Sequence, residues 1–416
     1  MPDSLATGKT ADPEPSGGPP LRVAMLGSFP PLRGISSYCL ELASALVRRL
    51  EVVFLSFKHI YPAFLYPGGG LAEDHSFPPE FPPGLTVHRR LTWYNPLSWI
   101  RAGLSTRADL LHAQWWSLPL APIYGVVALG FKVRRKPVVF TVHNVSGHDG
   151  GGLFVAVSKI LFRLGDHFIV HTEANRRRLI RQYGIAPRHI SVIAHGSLDF
   201  QVDAAADRER LRQEMGIGPA HKVVLIFGAI RPYKGLDVAI RAFAEVVKKV
   251  PEARLLVAGK PWEPWGGYHD LIQHLGLQDK VITRLDYVPA ARVHRFFGAA
   301  DLVVLPYRRF ESQSGVGATA VAFRTPMIVS DVGGLPELVA DRRAVVLPDD
   351  PEALAEAICR VLRDRDFLDQ LRLSLDLVAE TSRWDGIAKS TWILYKHVLT
   401  GGGCSGFSGT KKSHFL

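Results

Sequence analysis

The chain has 416 residues, more than one ordinary hydrophobic core serves, so two domains are expected. Its composition, 47% hydrophobic and 21% charged, is that of a globular protein, and three isolated cysteines (Cys39, Cys359, Cys404) exclude a disulfide framework or a thiolate metal site. The net charge of +11 favours acidic partners, but no recognition helix, zinc finger or aromatic platform is present, so nucleic acid is not an expected partner.

Residues 1–20 are rich in Pro, Gly, Ser and Asp and read as disordered; they have no basic start and apolar core, so they are not a signal peptide. The first strand is expected at 22–27. A Pro/Gly loop (28–34) and an amphipathic helix over 36–49 follow, with Ser36 or Ser37 as N-cap. Further strands are expected at 51–56, 86–88, 109–112, 137–141 and 167–171, several of them separated by helices. The stretch 113–131 carries no charged residue and approaches the length of a membrane span. Pro119 and Pro122 interrupt it and it leads into a strand, so a buried or interfacial helix is expected there instead. A second series of short apolar runs lies at 223–227, 254–259, 281–285, 302–305, 326–330 and 344–347, after a polar connection over about 199–220. Alternating strands and helices imply parallel pairing. The expected fold is α/β: two doubly wound Rossmann-like domains facing across a cleft. The boundaries are 21–200 for an N-terminal domain on the acceptor side and 201–383 for a C-terminal domain on the donor side. A helix at 384–399 returns to the first domain, and 400–416 form a flexible tail.

In such folds ligands sit beyond the carboxyl ends of the strands, and the informative loops lie there. Phe227-Gly-Ala-Ile-Arg-Pro-Tyr-Lys-Gly235 joins a buried strand to a helix and carries Arg231 and Lys234 beside two glycines. Two cations on a surface turn are commonly just solvated. At a strand-to-helix junction, however, they join backbone amides and a helix dipole in suiting a diphosphate, whose growing charge needs neutralising as it leaves. A second junction, Glu311-Ser-Gln-Ser-Gly-Val-Gly317, offers the amides of Ser314, Gly315 and Val316, with Gly315 and Gly317 allowing close backbone approach and Glu311 as acceptor for sugar hydroxyls. Asp331-Val-Gly-Gly-Leu-Pro-Glu337 reads as a tight turn into a helix, with Gly333 and Gly334 supplying unusual backbone angles. His143 ends a buried strand, where a histidine taken in isolation is a satisfied core residue. No carboxylate or cysteine cluster completes a site with His148, so no metal is assigned. Trp115 and Trp116 either pack in the core or face a sugar or lipid at the cleft rim. His195-Gly196 closes the first series of strands and reads as lining the same cleft.

Six motifs in order resemble family 4 of the retaining glycosyltransferases, which have the B-type two-domain fold. They are Pro31-x-x-Gly34-Ile35, Thr141-Val-His-Asn144, His195-Gly196, Arg231-Pro-Tyr-Lys-Gly235, Ala300-Asp301 with Leu305-Pro306, and Gly333-Gly-x-Pro-Glu337. The similarity spans about 22–397. It implies transfer of a sugar from a nucleotide diphosphate without a metal or other cofactor. Lys234 and Arg231 would hold the diphosphate, Gly34 would face it from the other domain, and Val288 would lie where the base is read. His143 would contact the transferred sugar near the reacting carbon. Two departures stand out. The family's Arg directly after the strand-ending glycine is Ala229 here. The second glutamate of its pair, which binds ribose, is Thr319.

The expected function is therefore a retaining hexosyl transfer from a nucleotide sugar to a glycan or lipid-linked acceptor. The basic charge and the apolar segment add an anionic membrane surface as partner, with a cytoplasmic location at the inner face of the membrane. The alternative is a catalytically silent sugar-nucleotide-binding or scaffold protein, for which Ala229 and Thr319 speak. An epimerase or phosphorylase on the same fold has less support, since no lysine is singled out for a bound cofactor.

Overall fold

The computed structural model describes residues 20–60, 62, 73–76, 81–145, 152–198, 207–310 and 313–401. The N-terminal domain runs β1 (Arg22–Leu26), α1 (Ser36–Leu46), β2 (Glu51–His59), β3 (Leu85–Thr92), α2 (Pro96–Ser105), β4 (Leu110–Trp115), α3 (Ala121–Val133), β5 (Val138–Val142), α4 (Gly152–Phe162), β6 (His167–Val170), α5 (Glu173–Arg178) and β7 (Ile190–Val192). The C-terminal domain runs α6 (Arg208–Glu214), β8 (Lys222–Phe227), α7 (Leu236–Lys249), β9 (Ala253–Ala258), α8 (Gly266–His274), β10 (Val281–Arg284), α9 (Val293–Ala299), β11 (Leu302–Leu305), α10 (Gly315–Ala322), β12 (Met327–Ser330), β13 (Val345–Val346), α11 (Pro351–Arg363) and α12 (Arg365–Thr381). A last helix, α13 (Trp384–Leu399), follows.

Each domain is built on one parallel sheet. The strand orders are β3-β2-β1-β4-β5-β6-β7 and β10-β9-β8-β11-β12-β13. Strands buried on both faces need apolar residues throughout, which is why runs such as Val223–Ile226 carry no alternation. In both sheets the order reverses beside the first strand, so the loops after β1 and β8 open at the switch points where such folds bind ligands.

Some local expectations are revised. The N-cap of α1 is Ile35, with no side-chain cap; Ser36 and Ser37 both lie inside the helix. The uncharged stretch 113–131 divides among β4, a 3-10 turn (Leu118–Leu120) and α3, whose inner face is core. Among the described residues no helix is long and apolar enough to cross a membrane. Gly333 has the left-handed φ of +57°, but Gly334 does not, and the turn leads into a 3-10 segment (Leu335–Leu338) instead of an α-helix. The strand β7 has no counterpart in the sequence reading.

α13 packs on the N-terminal domain. Trp384 Nε1 donates to the Ser197 carbonyl (2.5 Å), Arg49 pairs with Asp385 (2.9 Å), and buried Tyr395 lies beside His112. A second contact joins the two domains directly. Asp74 accepts from Tyr287 Oη (2.8 Å) and from the Ala290 amide (2.9 Å), and the Arg33 guanidinium lies 3.2 Å over the Tyr287 ring.

Candidate active site in the cleft

The loop after β8 is shaped by two glycines that no other residue can replace without strain. Gly228 has φ +89° and Gly235 φ +67°. A Cβ on Gly235 would also fall 2.1 Å from the Pro306 carbonyl oxygen. Between them Pro232–Lys234 form a 3-10 turn that hands over to α7. Arg308, after β11, fastens this turn from behind. Its amide donates to the Tyr233 carbonyl (2.8 Å), and its guanidinium holds Asp237 with two bonds (2.8 and 2.6 Å) and Asp349 with a third (2.5 Å).

This scaffold turns Lys234 inward. The residue is buried, and Nζ donates to the Phe227 carbonyl (3.4 Å) and stands 5.6 Å from the centre of the Tyr307 ring. A Cβ on Gly228 would meet Lys234 Nζ at 3.1 Å and Val316 at 3.2 Å, so glycine, ammonium and the start of α10 share one corner. Burial, followed by the nearby charge of Arg231, pushes the ammonium pKa from 10.5 down to about 7. Arg231 is half-buried, its guanidinium 3.6 Å over the Trp262 ring. Trp262 is placed there because its amide bonds back to the Ile230 carbonyl (2.9 Å).

α10 begins at this corner. Ser314 is its N-cap, its Oγ accepting from the Gly317 amide (3.2 Å) and lying 3.4 Å from Tyr307 Oη. The amides of Gly315 and Val316 have no acceptor among the described residues. Gly317 has a packing role, since a Cβ there would lie 2.3 Å from Leu338 Cδ1, and its amide is already used by the cap. Thr319 is buried, and its hydroxyl donates to the Gly315 carbonyl (2.9 Å). Glu311 and His148 lie outside the described residues.

In the facing domain Gly34 has φ +97°, and a Cβ there would touch the Trp116 indole at 3.0 Å. Trp116 therefore lies under this loop, while Trp115 is wholly core. His143 is buried with Tyr38, His171 and His195 around it. Its Nε2 donates to Gln114 Oε1 (3.0 Å), and its Nδ1 stands 3.4 Å from His171 Nε2. Burial first, then the neighbouring histidines, holds the ring far below the usual imidazole range and therefore neutral. Val288 is half-buried beside the Asp74–Tyr287 bridge. A further pocket of about 440 Å³ spans the cleft between Asn175, Arg178 and Arg181 of the first domain and Phe310 and Gly333 of the second.

Sequence reasoning missed Arg308, Trp262, Gln114 and the Asp74–Tyr287 bridge. None has a local signal, because each acts on a loop far away in the chain. Asp301, one of the motif residues, is structural: its carboxylate accepts from the Val223 amide (2.7 Å) and pairs with Arg208 and Arg212.

Comparison with known proteins agrees with this architecture. Residues 32–197 match the family model Glycosyltransferase Family 4, and residues 221–364 match Glycosyl transferases group 1. The D-inositol 3-phosphate glycosyltransferase of Segniliparus rotundus is 30% identical over 315 residues, covering 71% of this chain and 68% of the relative. That of Corynebacterium efficiens is 32% identical over 318 residues, covering 70% and 72%. Among solved structures, Anabaena HepE in complex with UDP and glucose superposes with a TM-score of 0.69 at 19% identity, over 90% of this chain and 99% of that one. WaaG, a glycosyltransferase involved in lipopolysaccharide biosynthesis, gives 0.61 at 16% identity over 91% and 100%. The two parallel-sheet domains, the order of the cleft motifs and these matches have one common answer: the chain belongs to family 4 of the glycosyltransferases and has their B-type two-domain fold.

Proposed function

We propose that this glycosyltransferase takes a hexosyl group from a nucleotide diphosphate sugar and transfers it with retention to a glycan or lipid-linked acceptor. One observation carries the reading. A buried lysine without a carboxylate partner among the described residues shares a corner with two unbonded amides at the start of α10. Such a corner is costly to keep unless an anion fills it. HepE was solved with UDP and glucose, and starch synthase IV of Arabidopsis thaliana with ADP and acarbose, which supports a nucleoside diphosphate as that anion.

On this reading Lys234 and Arg231 neutralise the diphosphate while the amides of Ser314, Gly315 and Val316 complete its cradle. Gly34 lets the opposite loop close over it, and Val288 lies along the base. Glu311 takes sugar hydroxyls. Thr319, whose hydroxyl donates to the Gly315 carbonyl, stands where the family's ribose-binding glutamate would be and brings no negative charge to the ribose. His143, held neutral by its neighbours, presents an uncharged ring near the reacting carbon. The bond from C1 to the diphosphate oxygen breaks as the acceptor oxygen bonds to C1 on the same face, and a phosphate oxygen receives the acceptor's proton. No metal is required, because protein cations and amides meet the charge. The enzyme works in the cytoplasm at an anionic membrane surface.

The test combines a thermal-shift screen against UDP, GDP, ADP and dTDP with turnover of Lys234→Ala. One nucleotide should stabilise the protein, and turnover of the variant should fall at least ~100-fold, the scale of losing one transition-state charge. Near-normal turnover would remove the diphosphate assignment.

A further inference from the structure

A cavity of about 910 Å³ lies away from the cleft, at the open edge of the N-terminal sheet. Its floor is apolar and polar in turn: Val53 and Leu55 of β2 pair with Thr86 and His88 of the edge strand β3. Arg90, Arg101 and Arg107 also line it. Among the described residues none of these three arginines has a carboxylate partner, whereas Arg22, at the same cavity, is paired with Glu51 at 2.5 Å. Three unneutralised guanidinium groups around one hollow mark a place for an anion.

The helix bordering this cavity has an unusual surface. The only buried residue of α2 is Gly103. It meets α3 backbone to backbone: a Cβ on Gly103 would lie 2.9 Å from the Val127 carbonyl oxygen, and one on Gly130 would lie 2.6 Å from Gly103 itself. With that face closed, Trp99 packs against the core and the other large apolar side chains of α2 point outward. Leu97, Ile100 and Leu104 are 74%, 44% and 49% exposed at helical spacing, and Leu129 and Val133 on α3 add 52% and 69%. Exposed apolar side chains thus gather on α2 and the outer edge of α3, where Leu129 is the one contributed by the uncharged run; other pairs lie apart from them, Leu153 and Ile160 on α4 and Leu373 and Leu377 on α12.

We propose that this face seats an anionic phospholipid of a bilayer, its phosphodiester between Arg90, Arg101 and Arg107 and its acyl chains against Leu97, Ile100 and Leu104. A lipid surface offers the two chemistries side by side, charge at the headgroup and hydrocarbon beneath it. Nucleic acid would satisfy the arginines and leave the leucines in water. The inference rests on the membrane clause of the function proposed above and gives that clause a location.

The full-length protein would be sedimented with phosphatidylcholine vesicles with and without phosphatidylglycerol. Binding should require phosphatidylglycerol and weaken at high salt. Joint replacement of Arg90, Arg101 and Arg107 by alanine should lower the partition roughly 100-fold, at about fivefold per cation. Joint replacement of Leu97, Ile100 and Leu104 by serine should lower it as well and leave a residue of binding that salt abolishes. All six positions are at the surface, and nucleotide-induced thermal shifts should stay unchanged, which checks the fold. No binding of the unaltered protein to either vesicle would overturn both the membrane clause and the site. Unchanged binding after both triple replacements would overturn the site while the membrane clause stands. Displacement from vesicles by millimolar inorganic phosphate would assign the hollow to a free anion and overturn the lipid.

Discussion

If Lys234 greets the diphosphate, donor binding takes up a proton, and the amount follows from the structure. In the free protein burial and Arg231 hold the lysine pKa at about 7, so half of the molecules carry a neutral amine at neutral pH. A diphosphate in the corner restores the charge, since an opposite charge within about 4–6 Å raises such a pKa by roughly 1–3 units. With a bound pKa between about 8 and 10, uptake at pH 7 is about 0.4–0.5 proton, and affinity falls about five- to tenfold from pH 6 to pH 8. The sign is opposite to that of a carboxylate site: acid strengthens binding. An intact nucleotide sugar is the right probe, because both of its phosphates are diesters and do not titrate in this range. Calorimetry in two buffers of different ionisation enthalpy reads the proton count directly. Lys234→Met should bind more weakly and lose the pH dependence. Uptake indistinguishable from zero in the unaltered protein would place the ammonium away from the diphosphate. The same shift has a consequence for stability. Between about pH 7 and 10.5 the unfolded chain holds more protons on this lysine than the fold does, so its share of stability rises with pH across that window.

Two further substitutions test the scaffold. Gly235→Ala meets both a left-handed φ and the Pro306 carbonyl, while Gly276→Ala meets only the φ of +65° with open space around it. Gly276→Ala should cost about 1–2 kcal/mol in urea unfolding and Gly235→Ala clearly more; equal costs would show that the close approach is relieved. Asp74→Ala should leave the buried Ala290 amide without its acceptor, cost about 1–3 kcal/mol, and widen the distribution of interdomain distances in small-angle scattering. Burial pushes the Asp74 carboxyl up, but hydrogen bonds from Ser76, Ala290 and Tyr287 outweigh it and hold the pKa below 3.8, so the bridge should persist until the pH falls through the carboxylate range. An unchanged urea midpoint and scattering profile for Asp74→Ala would remove the bridge from the account of domain closure.

The sequence made the two sheets legible because strands buried on both faces are continuous apolar runs, and runs survive in one dimension. The glycine-bounded loop at 227–235 was legible for the same reason: its strand, cations and helix are contiguous. Faces are a different matter. The run 113–131 allowed a buried or an interfacial helix by composition, and only the fold shows that α3 turns most of it into the core, while α2, whose apolar residues are scattered among polar ones, exposes Leu97, Ile100 and Leu104. Gly317 sits in a phosphate-like motif, but only its distance from Leu338 shows that its size serves packing. The Asp74–Tyr287 bridge joins residues 213 apart, and no window on the chain contains both.

Net charge illustrates the same limit and how a structure lifts it. The excess of +11 says that cations outnumber anions but not which cations matter. Pairing sorts them. Arg308 is bound by Asp237 and Asp349, Arg208 and Arg212 by Asp301, and Arg324 by Asp376; each holds one stretch of chain to another. Their charge is neutralised within the fold, so they have little left for a ligand. Arg231 and Lys234 at the cleft, and Arg90, Arg101 and Arg107 at the sheet edge, have no such carboxylate among the described residues. An unneutralised cation in a hollow raises the energy of the empty protein and lowers that of the complex, which is what a binding site for an anion requires. The two clusters lie in different domains, the first beside the amides that open α10 and the second around the cavity at the sheet edge, so on the two proposals above they would serve different anions: a small diphosphate that leaves with each turnover, and an extended charged surface that stays.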